Sequence, residues 1–430
     1  HNAKKAGSGV VNIVGEHATY HIALDAPLTS DIEGLARPMS DWVHTSTEAS
    51  AIGGAGAMAV QAAMTPPGVV ATLILPGDTA WNEGGVVAEK LSAPTRASVD
   101  PDAVDRAAAA LGPETLLLLG GEALNEQNVN LAGRIAAKTG CGLRTEWSNA
   151  RLMRGAGRVS VDRIPYVVEL ALKVLAPYKR IILMGAERPI AFFAYPDKPS
   201  ILTADDVEFF EVAAAADDID GAMEALADAA GALTTPPQGM VEANAPDLPS
   251  GPPTPDGIAA VLANMIPENG IVADESVTTG RSFFATTLGA KPHDWLNNRG
   301  GSIGYSLPVA IGAAIACPDR KVIAQAGDGS AMYTIQALWT MARENLDIAV
   351  VIFANRAYRI LQGELKNVGV QNPGPRAVDM LSIAQPELNF VDMAKGMGVD
   401  GQRVETLEDF AKAMEAGLAV DGPYLIELMM

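Results

Sequence analysis

Val322-Ile323-Ala324-Gln325-Ala326-Gly327-Asp328-Gly329-Ser330 reads as a short buried strand that hands over to a helix through a glycine-rich turn. Ile335–Glu344 reads as the helix that follows, and Ile348–Ala354 as a second buried strand, ending in Asn355. Short apolar runs alternating with helices belong to parallel sheets covered on both faces. Asn355 lies 27 residues after Asp328, the span of one strand–helix–strand unit, so the two residues are expected side by side at one sheet edge. In open α/β sheets that edge is where ligands bind.

The residue types there suit a phosphate-bearing ligand. Gly327 and Gly329 let the backbone come close to an anion, and the following helix offers unpaired N–H groups. Asp328 can ligate a hard cation. Alone, the tetrapeptide is a common turn; Asn355 at its spacing is what changes the reading. A six-oxygen Mg²⁺ shell would take the Asp328 carboxylate, the Asn355 amide oxygen, a backbone oxygen near Ala357, two phosphate oxygens and a water.

Outward from this stretch, the same architecture recurs. Ile271–Ala273 is a strand ending in Asp274-Glu275-Ser276, Pro308–Ala316 is a small-residue helix, and Tyr424–Leu428 is a further strand. Residues 235–256 hold seven prolines and little periodicity and mark the main boundary. Before it, Leu116–Gly120, Leu131–Thr139 stopped by Gly140, and Arg180–Gly185 outline a central α/β unit over 104–234. Residues 86–104, with Pro94 and Pro101, read as a linker. Residues 1–88 hold strands at Val10–Gly15 and Val69–Pro76 with an alanine-rich helix, Ser46–Met64, between them. The fold class is therefore α/β, with three parallel-sheet domains: 1–88, 104–234 and 257–430.

Composition narrows the function. With 48% hydrophobic and 19% charged residues the 430-residue chain can build large cores. A net charge of −20 argues against a nucleic-acid partner or a polybasic membrane contact. Cys141 and Cys317 are the two cysteines, too few and too far apart for a disulfide framework, so a reducing, cytoplasmic setting is expected. No run of eighteen apolar residues suggests a membrane span. His17 and His21 are four apart but follow a strand in a turn-like stretch, and read as polar loop residues ahead of zinc ligands.

Gly327–Ser330 with Asn355 resembles the diphosphate-binding signature of thiamine-diphosphate enzymes. The stretches Gly300–Ala313, Gly327–Glu344 and Val351–Tyr358 resemble benzoylformate decarboxylase and the acetolactate synthase large subunit, and the chain looks most like uncharacterised homologues of the latter. The resemblance runs through nearly the whole chain and is strongest after residue 270. It implies thiamine diphosphate and Mg²⁺ as cofactors, with Asp328, Asn355 and Ala357 on the metal and Gly327, Gly329, Ser330 and Thr278 on the diphosphate. It also implies that Ile303 is the wedge under the bent cofactor, although an ordinary core isoleucine reads as well, and that Tyr333 lines the same pocket. The substrate class implied is a 2-keto acid, decarboxylated or coupled to a second one, in a homodimer or homotetramer. The alternative is a non-catalytic, cofactor-binding paralogue acting as a partner subunit.

Several positions depart from the pattern. Ala354-Asn355 stands where most members have two asparagines, with the metal ligand kept. His1 aligns after the segment that carries the family's activating glutamate, so the first domain reads as incomplete, the chain as N-terminally truncated, and no catalytic residue is assigned. Pro27-Leu28-Thr29 replaces Phe-Gln-Glu, Asp41 replaces a lysine, and Ile360–Gly363 replaces Val-x-Gln-Trp of acetolactate synthases. Pro189–Pro196 lacks the histidine of benzoylformate decarboxylases. Gly120-Gly121 is compatible with nucleotide approach but is only a strand–turn pair, so FAD is not expected.

Overall fold

A computed structural model describes residues 1–430. Its fifteen strands are β1 Val10–Glu16, β2 Trp42–Thr45, β3 Val70–Pro76, β4 Thr115–Leu119, β5 Gly142–Thr145, β6 Leu152–Arg154, β7 Asp162–Arg163, β8 Arg180–Met184, β9 Glu208–Ala213, β10 Gly270–Glu275, β11 His293–Asn297, β12 Val322–Gly327, β13 Ile348–Ala354, β14 Asp400–Val404 and β15 Tyr424–Met429. They form three sheets, ordered β1-β3-β2, β7-β5-β4-β8-β9 and β14-β15-β13-β12-β10-β11-β6.

Every pairing is parallel except one. β6, from the middle of the sequence, runs antiparallel to β11 at the edge of the last sheet, Trp295 opposite Leu152. The last sheet thus borrows an edge strand from the central part of the chain, which covers an edge that would otherwise stand open.

The apolar runs form strands because both their faces are buried. Along β12, Ile323 packs with the helices Pro255–Met265 and Leu407–Ala419, while Ala324 packs with Ser306–Ala316 on the other face. In the first unit the helix Ile52–Ala63 lays Ala55, Ala59 and Ala63, one turn apart, against Ala71 and Leu73 of β3. Small side chains at that spacing bring helix and sheet close together.

Two boundaries fall differently from the sequence reading. The linker expected to run to residue 104 ends at Asp100, because Asp100 accepts the Asp102 N–H and Pro101 fits the first helical position of Pro101–Ala110. The helix expected at Ile335–Glu344 is Ala337–Arg343, preceded by a separate helix Asp328–Thr334 that starts directly at the glycine turn. The proline-rich stretch is extended, with Val241 N–H donating to Arg158 O at 2.9 Å and Asn244 N–H to Gly289 O at 3.0 Å.

The central and last sheets meet over a polar seam. Arg154 and Arg163 stack on the Phe284 ring at 3.9 and 3.8 Å, and Arg163 donates to Asn297 Oδ1 at 3.1 Å. His293, fully buried in β11, donates from Nδ1 to Lys291 O at 2.7 Å. Burial, and then the Arg154 charge, push its pKa from 6.5 down to about 4. A depressed pKa means the unfolded chain binds the proton first. His293 therefore contributes stability above its ordinary pKa, and that stability is lost as pH falls towards 4. The slope is up to about 1.4 kcal/mol per pH unit. His293→Gln should flatten the loss of chemical stability between pH 6.5 and 4.5, measured by urea melts; an unchanged slope would show that other groups carry it.

Candidate cofactor site

β12 and β13 run in register with Gly327 opposite Phe353, so Asp328 and Asn355 leave neighbouring strands at the same edge. The Asp328 carboxylate accepts the Gly329 N–H at 2.8 Å through Oδ1 and the Arg356 N–H through Oδ2. Asn355 Oδ1 accepts the Ala357 N–H at 3.0 Å. The turn 355–357 is thereby folded directly over Asp328. The Ala357 carbonyl accepts the Arg359 N–H at 2.9 Å and keeps a second lone pair.

This turn is strained where it meets the aspartate. Arg356 has φ 56°, a left-handed conformation that non-glycine residues seldom adopt. Three contacts hold it: the bond from its N–H to Asp328, the Ile383 N–H on its carbonyl at 3.0 Å, and an ion pair to Glu387. Arg356 and Glu387 carry no recognisable sequence signal, because neither lies in the glycine turn or at a strand end.

Asp328 is only 3% exposed. Burial pushes its carboxyl above the usual range, and the N–H bonds from Arg356 and Gly329 pull it back only in part. A divalent cation would supply the missing compensation. The donors fit one: a carboxylate, an amide oxygen and a backbone oxygen, all hard, around one anionic residue. No group of three or more His, Cys, Asp or Glu side chains is placed to hold a metal ion, so a metal here needs oxygens from its ligand to fill the shell.

The glycines divide the space. A Cβ on Gly329 would lie 2.7 Å from the Tyr358 ring, so the helix start can approach only without one. At Gly327 a Cβ would meet nothing nearer than Ser330 Oγ at 4.0 Å, which leaves that side open to a ligand. Ser330, in the first turn of Asp328–Thr334, is buried.

Thr278 lies three residues past the end of β10, the neighbour of β12, with Glu275 opposite Ala326. Asp274 Oδ1 takes both the N–H and the hydroxyl of Ser276, and Val277 is left-handed at φ 47°, so the chain turns sharply just before Thr278. The Ile303 loop packs on the helix Asp328–Thr334. A Cβ on Gly304, at φ 91°, would lie 2.8 Å from Tyr333 Cβ, and Thr334 Oγ1 donates to Gly304 O at 3.0 Å. Ile303 is 48% exposed and Tyr333 61%, so they form an apolar wall rather than core. The nine candidate residues therefore lie at or just past the ends of β10, β12 and β13, on the helix Asp328–Thr334, or on the loop packed against it.

The sequence reading missed Glu275. Its buried carboxylate accepts the Gly304 N–H at 2.8 Å and the Ser306 N–H at 3.0 Å, and so fixes the loop that presents Ile303. Other positions lie apart. The His17 and His21 rings are 5.4 Å apart with no third ligand. The Gly120-Gly121 turn is used up by close packing, since a Cβ on Gly120 would lie 2.5 Å from Gly185 O.

Comparison with known proteins places these elements. Residues 279–428 match the family model described as thiamine pyrophosphate enzyme, C-terminal TPP binding domain. The chain is 43% identical to the Mycobacterium tuberculosis protein named "Putative acetolactate synthase large subunit IlvX", over 100% of this chain and 83% of that one. The chain belongs to the thiamine-diphosphate-dependent enzymes. Within that family it is 26% identical to benzoylformate decarboxylase of Pseudomonas aeruginosa over 99% of this chain and 83% of the other. Its fold is that of the thiamine diphosphate-dependent 4-hydroxybenzoylformate decarboxylase of Rhodococcus jostii. The TM-score is 0.82 at 24% identity, over 99% of this chain and 83% of that one. Family membership makes thiamine diphosphate the cofactor, and no helix of the chain is long and apolar enough to cross a membrane.

Proposed function

We propose that the protein is a thiamine-diphosphate- and Mg²⁺-dependent enzyme that decarboxylates a 2-keto acid and is a poor acetolactate synthase. The observation that carries the cofactor part is the Asp328–Asn355–Ala357 arrangement over the glycine turn. In this reading Asp328, the Asn355 amide oxygen and the Ala357 carbonyl hold Mg²⁺. Ser330, Thr278 and the backbone at Gly327 and Gly329 hold the diphosphate, and Ile303 and Tyr333 wall the ring. When bound, thiamine diphosphate supplies the electron sink for the carbanion left when carbon dioxide departs. The chain's own contribution is to position that group and to keep water from its apolar side.

Weak carboligation follows from the acceptor side. Coupling needs a second keto acid held beside the first, so it suffers more than carbon dioxide release when an anchor is lost. Asp41 stands where related synthases carry a lysine, and its carboxylate is committed to Lys4 at 3.4 Å and to the Val70 N–H at 3.3 Å. It supplies no cation, and its own negative charge is largely answered within the first unit. Pro27-Leu28-Thr29 lies in a loop with Leu28 exposed. The test feeds pyruvate, 2-ketobutyrate and phenylglyoxylate to the full-length protein with Mg²⁺ and cofactor, and measures carbon dioxide and acetolactate. Efficient acetolactate formation from pyruvate would refute the second half of the proposal, and turnover of no keto acid the first.

The same reading expects a homodimer or homotetramer. Ile303 and Tyr333 at the site, with Ile315 on the helix Ser306–Ala316 and Trp339 on Ala337–Arg343, are exposed large apolar side chains that association would cover. Light scattering should report a mass of at least two chains. A monomer that binds the cofactor tightly would contradict it.

A further inference from the structure

The turn before Thr278 is held in a conformation that its own sequence opposes. Val277 lies at φ 47°, and a β-branched residue is seldom found with positive φ. Its side chain is 43% exposed, so core packing alone does not hold it there. Such strain persists only where the surroundings over-determine it, and it collects at binding sites. Here the restraint comes from Asp274. Its Oδ1 accepts the Ser276 N–H at 3.0 Å and the Ser276 hydroxyl, while the Ser276 carbonyl accepts the Thr279 N–H at 3.1 Å. The hydroxyl has its place only because residue 280 is glycine: a Cβ there would lie 1.6 Å from Ser276 Oγ.

Asp274 is itself held from the far side. Its Oδ2 accepts Trp295 Nε1–H at 3.2 Å and an amide N–H of Asn297 at 3.3 Å. Together with Ser276, these donors fill the lone-pair sites of the carboxylate and leave it no second orientation. Asn297 stands opposite Asp274 in the β10–β11 register, and its amide oxygen accepts from Arg163 Nη1 at 3.1 Å. The amide can face only this way, because a guanidinium has no acceptor and a carboxylate no donor. Arg163 belongs to β7, at the edge of the central sheet, and stacks on Phe284 at 3.8 Å. Burial lowers its pKa and the Asp274 charge opposes that shift, so the two ends of the series also attract each other directly.

Resting on the thiamine-diphosphate reading above, we propose that Arg163, Asn297 and Asp274 form a positioning relay that sets the Val277 turn and so holds Thr278 for the diphosphate. The central sheet supplies none of the cofactor residues, yet through this relay it tunes diphosphate affinity. Arg356 and Val277, the two strained non-glycine residues beside the site, are then each fixed by an aspartate, Asp328 for one and Asp274 for the other. Outer partners that orient a binding group are typically worth roughly 10- to 100-fold in affinity.

Asn297→Ala removes the middle link and leaves the strand pairing and the Trp295 bond to Asp274 in place. Calorimetry on the folded full-length protein at fixed Mg²⁺ should show thiamine diphosphate and inorganic pyrophosphate both weakened by about tenfold or more. Asn297→Asp separates steering from simple bracing. It keeps an acceptor for Arg163 but turns a carboxylate towards Asp274, so both ligands should again bind about tenfold or more weakly. A mere brace between the two sheets would keep native affinity in Asn297→Asp. Combining Ser276→Ala with Asn297→Ala should lose no more affinity than the worse single variant, since both act through one turn. Native affinity in either Asn297 variant, additive losses in the double variant, or a loss for thiamine diphosphate without one for pyrophosphate would each overturn the relay and leave the cofactor reading standing. Should the native protein bind neither ligand with Mg²⁺, the cofactor reading fails by itself, and hydrogen exchange decides the relay. Amides 276–279 should exchange about tenfold or more faster in Asn297→Ala while amides 355–358 keep their native rates. Unchanged exchange at 276–279 overturns the relay.

Discussion

Asp328→Ala should weaken thiamine diphosphate binding by at least about a hundredfold, roughly 2.8 kcal/mol, in calorimetric titrations at fixed Mg²⁺. Asp328 is the one carboxylate in the donor set, and the other two protein oxygens are neutral. Without it the cation faces the diphosphate with no protein charge to hold it. The same variant without cofactor separates function from structure. Burial raises the Asp328 carboxyl, and a raised pKa in an acid means its stabilising contribution is complete below the ordinary value and lost as pH rises through the raised one. At neutral pH the ionised group is a cost in the cofactor-free protein. Asp328→Asn keeps an oxygen for the Arg356 or Gly329 N–H and removes the charge. One N–H is left facing the new amide, a cost of about 1–3 kcal/mol that relief of the buried charge offsets, so the variant should stay folded in urea while losing Mg²⁺-dependent cofactor binding. Unchanged cofactor affinity in both variants would remove Asp328 from the metal site.

The contrast between Asp328 and Arg356 shows what a sequence discloses about this site. The strand β12, its glycine turn and the spacing to Asn355 are local patterns, each set by a short apolar run and a terminator, and they were legible as they stand. So were the parallel sheets, because strands buried on both faces leave continuous apolar runs. Arg356 gave no signal, since its left-handed backbone is imposed by an aspartate 28 residues away and by Ile383 and Glu387 on a later segment. β6 was missed for a related reason. Its three residues pair with β11 far along the chain, and a strand so short has no period of its own. The helix boundaries shifted by a few residues because caps, as at Asp100, outweigh the apolar pattern at an element's end. The contacts among the Trp147, Tyr166 and Phe192 rings were invisible because the three are scattered over three loops that only the central sheet gathers.

Glu275 is the residue whose removal should damage the fold and the site together. It ends β10 with its side chain buried, and its two oxygens take the N–H groups of Gly304 and Ser306 at 2.8 and 3.0 Å. Those donors open the helix Ser306–Ala316, whose first turn has no other side-chain cap. Gly304 stands at φ 91°, and a Cβ there would strike Tyr333 and Thr334 of the helix Asp328–Thr334. Glu275→Ala leaves two donors without partners in a site with little access to water. At about 1–3 kcal/mol for each orphaned group, the loss should be roughly 3 kcal/mol in urea melts. Glu275→Gln is the sharper probe. Its carbonyl oxygen can serve one N–H, but its amide turns a donor towards the other, so it should recover only about half of the loss. The cofactor reading adds a second readout. Ile303 lies one residue before Gly304, so loosening the turn should reduce thiamine diphosphate affinity in Glu275→Gln under conditions where the variant is fully folded, with Asp328 and Asn355 untouched. A variant as stable as the native protein would show that the turn holds itself. A destabilised variant with native cofactor affinity would show that the Ile303 loop is set by its packing on the helix Asp328–Thr334 instead.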